Sequence, residues 1–265
     1  MTFVVEPDIY AQAHAQLRAQ PHALEMETQQ AVKRFKGHSL EQQEEVNLAN
    51  RTDSKYLMPA EALVPLLEAL GPEYSVLQCD DARIFSYENT YFDTSEFDLY
   101  HDHHNGKLSR HKWRHRRYKE TDTAYLEYKA KTNQERTVKT RHHWPAQDNE
   151  ATLPPTDGLQ TSLYVNYRRI TCWNHDSNER LTIDYDLRWQ KPGADSGATM
   201  DNHIIVELKR EGKVYGSQFV RRAKDFGFLP CSFSKYCIGM CVTDDGQLKK
   251  NRFKPLLQQV QWSKI

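Results

Sequence analysis

The chain has 265 residues, and Lys+Arg and Asp+Glu both total 36, so its overall field gives no nucleic-acid signal and any basic site must be local. No apolar run approaches the roughly 18 residues of a membrane span and no secretory signal opens the chain, so the expectation is a soluble cytoplasmic protein. Five cysteines, an odd number, argue against a disulfide framework, and Cys231, Cys237 and Cys241, which lack zinc-ligand spacing, are expected to be reduced core residues.

In chain order, residues 1–38 are rich in Gln and Ala with Pro21 interrupting, an N-terminal extension that is either helical or flexible. The main domain is expected over 39–242. Ser39-x-x-Gln42 has the form of a capping box, so a helix with Val46 and Leu48 on its apolar face should lead into a strand at Arg51. Pro59, then Leu63-Val64 and Leu66-Leu67 before Gly71-Pro72, predicts a helix with start and stop signals. Strands follow at Arg83–Phe92, Lys107–Tyr118, Tyr125–Lys131, Arg136–His143, Tyr164–Trp173, Arg180–Trp189 and His203–Arg210. A His-rich turn is expected around His101–Gly106, a hairpin link at Asn133-Gln134, and surface loops at 145–160 and 191–202. Ser217 should cap a helix bearing Phe219, Val220, Ala223 and Phe226 on one side. Ser232–Cys241 should form another helix, and 243–265 a frayed tail. Roughly eight turn-linked strands predict a mainly β, α+β domain built on an antiparallel barrel or sandwich. A Rossmann sheet would need helices between most strands and a Gly-rich phosphate loop, and the chain has neither.

Alternate residues of a strand share a face. Arg51, Asp53 and Lys55 share one, and Arg110, Lys112, Arg114, Arg116 and Tyr118 a second. Glu127, Lys129 and Lys131 form a third, and Thr137, Lys139 and Arg141 a fourth. Arg180, Thr182, Asp184 and Asp186 stand together, as do Glu207 and Lys209. Two readings stay open. A sandwich would turn these faces to water. A barrel would close them into a charged lumen, tolerable only if water and a bound anion fill it. The excess of Lys and Arg across the set points to the lumen, and the Arg fork suits phosphate oxygens. Glu207, Glu127, Asp53 and Asp184 could hold a divalent metal that arrives with a triphosphate, or could pair with neighbouring cations. His101, His103, His104, His111 and His115 cluster without the fixed spacing of a metal site.

Several segments in this order resemble the VTC domain, the polyphosphate polymerase domain of the triphosphate tunnel metalloenzymes. They are Asn50-Arg51-Thr52-Asp53-Ser54-Lys55-Tyr56, Tyr91-Phe92-Asp93-Thr94, Arg114-His115-Arg116-Arg117-Tyr118, Glu127-Tyr128-Lys129, Thr137-Val138-Lys139-Thr140-Arg141, Tyr167-Arg168-Arg169, Glu207-Leu208-Lys209 and Phe233-Ser234-Lys235-Tyr236. The resemblance implies an eight-stranded antiparallel barrel, a triphosphate tunnel open at both ends with flanking helices. It implies that Lys55, Arg114, Arg116, Lys129, Lys139, Arg169 and Lys235 contact the phosphates, with Arg168 an alternative register for Arg169. Arg51, Lys112, Lys131, Arg141, Arg180 and Lys209 would assist in binding. Glu207 matches the metal-binding glutamate, for Mn²⁺ or Mg²⁺, with Glu127 as a second candidate. The hydrolytic tunnel enzymes open with Glu-x-Glu-x-Lys. Here Arg51 and Asp53 take the two Glu positions, which argues against an efficient triphosphatase.

The function these readings imply is metal-dependent transfer of the ATP γ-phosphate to a growing inorganic polyphosphate chain, with no nucleic-acid partner. One rival is a tunnel triphosphatase acting on a nucleoside triphosphate or tripolyphosphate. The other is a non-catalytic polyphosphate- or nucleotide-binding module that serves a membrane protein, peripheral at the inner face of a membrane.

Overall fold

A computed structural model describes residues 23–45, 51–133, 137–144, 157–212 and 216–265. The readings at 1–22, at Val46, Leu48 and Asn50, at 134–136 and at 145–156 lie outside it.

Among the described residues thirteen strands form one sheet: β1 (Lys36–His38), β2 (Arg51–Pro59), β3 (Tyr74–Leu77), β4 (Phe85–Asp93), β5 (Arg110–Tyr118), β6 (Thr123–Lys131), β7 (Thr137–Trp144), β8 (Gln160–Asn174), β9 (Glu179–Gln190), β10 (Gly197–Met200), β11 (His203–Glu211), β12 (Pro230–Cys231) and β13 (Ser263–Lys264). Its path is β12-β2-β11-β9-β8-β4-β5-β6-β7. Eight long antiparallel strands make up that path beyond the two-residue β12, as the sequence implies. Among the described residues the edges β12 and β7 do not pair, so hydrogen bonds do not close the barrel. Register shifts at Tyr91/Phe92 and at Asn166/Arg168 interrupt the ladders of β8, and such irregularities bend and twist a strand.

Alternation sorts the faces. Tyr56, Met58, Ile183, Ile204, Val206 and Leu208 turn outward into an apolar core under the helices Ala23–Lys33, Leu63–Leu70 and Gln218–Asp225. Leu63, Leu67 and Phe219 supply the helical side of that layer. Ser217 accepts from the Val220 N–H as the expected cap. The Ser39 capping box is formed in both directions, Ser39 N to Gln42 Oε1 at 2.9 Å and Gln42 N to Ser39 Oγ at 3.3 Å.

The inner face divides in two. Along one half it is apolar, with Leu57, Leu163, Val165, Leu187, Trp189 and Ile205. The helix Lys235–Val242 lies over this half and turns Tyr236, Ile238 and Met240 into the same cluster. Gly239 sits so close to the sheet that an added Cβ would stand 2.1 Å from Trp189 Cδ1 and 2.6 Å from Leu163 Cδ2. Gly239→Ala therefore has to lift the helix, an overpacking that costs about 1–3 kcal/mol. It should lower the melting temperature, and an unchanged melting curve would mean the helix is free to shift.

Three expectations are corrected. The His-rich turn is a helix, Asp98–His104. Its first turn is anchored by the Asp93 carboxylate, which accepts from Leu99 N at 2.8 Å and Tyr100 N at 2.9 Å. The loop after β9 contains a strand, β10, because β9 overruns its predicted end and offers Gln190 to Gly197. Residues 243–265 do not fray. Leu248 and Val260 are buried, Trp262 meets Trp189 with ring centroids 5.8 Å apart, and β13 pairs with β10. All five cysteines are free, and Cys172, Cys237 and Cys241 are buried. No helix among the described residues is long and apolar enough to cross a membrane.

Candidate active site

The other half of the inner face is charged. Residues from β2, β5, β6, β7, β8 and β11, with Phe233, Ser234 and Lys235 at the start of the inner helix, enclose a cavity of about 240 Å³. It gathers Lys55, Lys112, Arg114, Arg116, Lys129, Lys139, Arg169, Lys209 and Lys235 with Asp53, Glu127 and Glu207. The sequence alternation predicts this grouping, since cross-strand neighbours on one face stand side by side. Lys55 pairs in register with Glu207, Lys112 with Lys129, and Arg114 with Glu127.

Not every expected residue arrives there. Lys131, Arg141 and Arg180 do not line the cavity. Lys131 stands two residues beyond Lys129, opposite Arg110 and Thr137. Arg180 lies beside Lys209 in the β9–β11 ladder. Arg141 is placed over the Tyr125 ring, its Cζ 3.5 Å from the centroid. Arg51 opens β2 opposite Glu211, and its side chain is outside the described structure. The Arg168/Arg169 register resolves clearly. Arg169 reaches inward to Asp184, and Arg168 pairs with Glu25 on the outer face.

The carboxylates differ in how tightly they are held. Glu127, 2% exposed, meets Arg114 at 2.5 Å and Lys139 at 2.7 Å, with Arg116 at 3.9 Å. Asp184 takes a two-pronged grip from Arg169 at 2.5 and 2.7 Å and a bond from Lys235. Glu207 is looser, with Lys209 at 3.5 Å and Lys55 at 4.0 Å. Burial alone would raise all three acids. The neighbouring cations overcome it, holding Asp184 at about 2 and Glu127 and Glu207 well below the usual carboxylate range.

Ring faces also position several of these cations, including Arg169 and Lys235, which Asp184 pairs from the other side. Tyr87 and Tyr167 stack at 5.0 Å. Arg116 and Arg169 lie 5.0 and 4.9 Å from the Tyr87 ring, and Lys235 lies 4.5 Å from the Tyr167 ring. A ring face positions a cation yet leaves its charge available. Other lysines are fixed by neutral oxygens: Lys55 donates to Phe233 O and Lys112 to Ser234 Oγ, both at 2.9 Å. The sequence reading missed the roles of Phe233, Ser234, Tyr87 and Tyr167. Their signal was faint, because a backbone carbonyl and a ring face carry no charge to count.

Burial pushes Lys112, Lys209 and Lys235 down to about 8. A bound polyanion favours their charged form, so binding is complete below pH 8 and weakens as pH rises through it. Each lysine that stays charged in the complex contributes about tenfold per pH unit above 8. Tripolyphosphate affinity measured calorimetrically from pH 7 to 9.5 should fall, with proton uptake on binding. A flat profile would contradict this placement of the lysines.

Metal binding can be tested against the donor set. Among the described residues no three His, Cys, Asp or Glu side chains come together as a ligand cluster. A divalent cation carried by a triphosphate needs only one or two protein carboxylates. Glu207 fits, since it lines the cavity and its neighbouring cations stand off, Lys209 at 3.5 Å and Lys55 at 4.0 Å. Glu127 does not fit, because its oxygens are already bound by Arg114 and Lys139.

An antiparallel sheet curved around a cation-lined cavity is the architecture of the triphosphate tunnel enzymes. The VTC domain sequence profile matches residues 50–153 and 151–243, and the chain belongs to the VTC domain family. A search of curated protein sequences found no match. Among solved structures, a candidate adenylate cyclase from Vibrio parahaemolyticus is 12% identical, with 71% of this chain and 97% of that one covered and a TM-score of 0.45. A candidate adenylyl cyclase from Hippeastrum with a dominant triphosphatase activity is also 12% identical, covering 73% and 97% at 0.45. The protein PH1012 from Pyrococcus horikoshii is 14% identical, covering 73% and 99% at 0.40.

Proposed function

We propose that the protein is an ATP-dependent polyphosphate polymerase. The observation that carries this reading is the pairing of the cavity glutamates, Glu127 with Arg114 and Lys139 and Glu207 with Lys209 and Lys55. Water must lose a proton when it attacks a phosphoryl group, and an effective general base has a pKa near the working pH. Glu127 and Glu207, which line the cavity with Asp53, are held far below that range by the cations beside them, and Asp184, outside the lining, is locked to Arg169 and Lys235. A phosphate chain end arrives already deprotonated and needs no base. The cavity therefore suits a phosphate acceptor better than water.

In the reaction, a terminal oxygen of the polyphosphate attacks the γ-phosphorus. A new P–O–P bond forms, the bond from the γ-phosphorus to the β,γ-bridging oxygen breaks, and ADP leaves. The chain grows by one phosphate with no covalent protein intermediate. Arg114, Arg116 and Arg169 are oriented before substrate enters and can meet phosphate oxygens in pairs. Lys55, Lys112, Lys129, Lys139, Lys209 and Lys235 supply the field that stabilises charge moving onto the leaving oxygen. Glu207 would hold Mn²⁺ or Mg²⁺, which would supply Lewis-acid charge for the phosphoryl group.

The test is purified protein with ATP and Mn²⁺, resolved for polyphosphate length, with free phosphate assayed in parallel. A ladder of long chains with ADP establishes the polymerase. Free phosphate without a ladder would instead establish a triphosphatase. ATP binding with neither product would leave a binding module, the reading in which a membrane protein is the partner.

A further inference from the structure

The inner faces of β5, β6 and β7 continue past the cavity into an aromatic rim. Arg116 is followed on its face by Tyr118. Across the ladder Glu127 gives way to Tyr125, and Arg141 to His143. Tyr125 meets Tyr118 edge-on at 6.0 Å and His143 edge-on at 5.1 Å. Arg141 covers the Tyr125 ring at 3.5 Å and stands 5.9 Å from Tyr118. Arg141 and His143 are exposed, and Tyr118 and Tyr125 are half-buried.

This rim has the composition of a stacking platform. A guanidinium lying flat on a tyrosine presents its outer plane, and nucleic-acid bases stack on such planes and on neighbouring rings. The position also fits. Tyr125 lies two residues along β6 from Glu127, the level at which Arg114 and Lys139 converge. Two residues of strand span about 7 Å, a distance one ribose bridges between phosphate and base. An inorganic triphosphate would have nothing to place there.

We infer that Tyr118, Tyr125, Arg141 and His143 form a nucleobase subsite at the cavity mouth, so that the phosphoryl donor is held as a nucleoside triphosphate. This rests on the triphosphate reading of the cavity. It reassigns Arg141, expected from sequence to bind phosphate, to the base.

The test compares ATP and tripolyphosphate affinities, with Mn²⁺ present, for the wild type, Arg141→Gln and Tyr125→Leu. Arg141 is exposed, so its variant keeps the fold even if Tyr125→Leu does not. The expected result is an ATP affinity about tenfold weaker, the worth of one stacked base, with tripolyphosphate affinity nearly unchanged. Equal losses for both ligands would overturn the inference and return Arg141 to the phosphates. No loss for either would also overturn it while leaving the phosphate cavity intact. A wild type that binds neither ligand would remove the triphosphate reading and the subsite with it.

Discussion

Glu207→Gln is expected to remove metal-dependent turnover while the protein still binds ATP. The substitution keeps the shape of the side chain and its place between Lys55 and Lys209, but it takes away the charge that would hold a divalent cation. A Lewis-acid metal contributes several kcal/mol of transition-state stabilisation. At about 1.4 kcal/mol per tenfold, the expected loss is at least roughly a hundredfold in rate. The cavity keeps all nine of its cations, so metal-free binding of tripolyphosphate should hold or strengthen. A variant with wild-type Mn²⁺-dependent turnover would remove Glu207 from the metal site.

Glu127→Gln should behave differently. Glu127 is the buried counter-ion between Arg114, Arg116 and Lys139. Removing one partner of a buried ion pair leaves uncompensated charge and typically costs about 3–5 kcal/mol. In a domain of this size that corresponds to a melting temperature lower by roughly 6–20 °C. The remedy is specific, because an anion can replace the lost carboxylate. Tripolyphosphate should raise the melting temperature of the variant more than that of the wild type. Wild-type stability in the variant, or equal stabilisation of both proteins by tripolyphosphate, would show that Glu127 is not the counter-ion described.

The strands were legible because charge alternates so regularly on them. Arg114 and Arg116 share a face, as do Glu127 and Lys129, because each pair is two residues apart on its own strand, and the β5–β6 register brings the two pairs together. The Ser39 and Ser217 caps were legible for a similar reason, since a cap is a local bond between residues three apart. Contacts across long sequence separations were not. The inner helix fits against Trp189 and Leu163 only because residue 239 is glycine, and nothing local to Gly239 signals that. Trp262 meets Trp189 just before Ser263–Lys264 pairs with β10, itself formed from a stretch that reads as loop. Arg141 shows the same limit within the site. Its face was assigned correctly, but its partner, the Tyr125 ring, is defined by the β6–β7 pairing and not by its own strand.

The division of charge has a wider consequence. The cavity lining carries nine basic and three acidic residues, which leaves 27 basic against 33 acidic for the rest of a neutral chain. The positive charge of this neutral chain is thus gathered in one recess, while Glu25, Glu88, Asp93, Glu179 and Asp184, acids outside its lining, are buried and not exposed. Long, stiff polyanions such as duplex nucleic acid cannot bend into a cavity of this size, whereas a slender phosphate chain can enter it. Raising the salt concentration screens the field of the recess within a Debye length of about 8–10 Å, so the attraction that draws a thin polyanion to the mouth should fade as ionic strength rises.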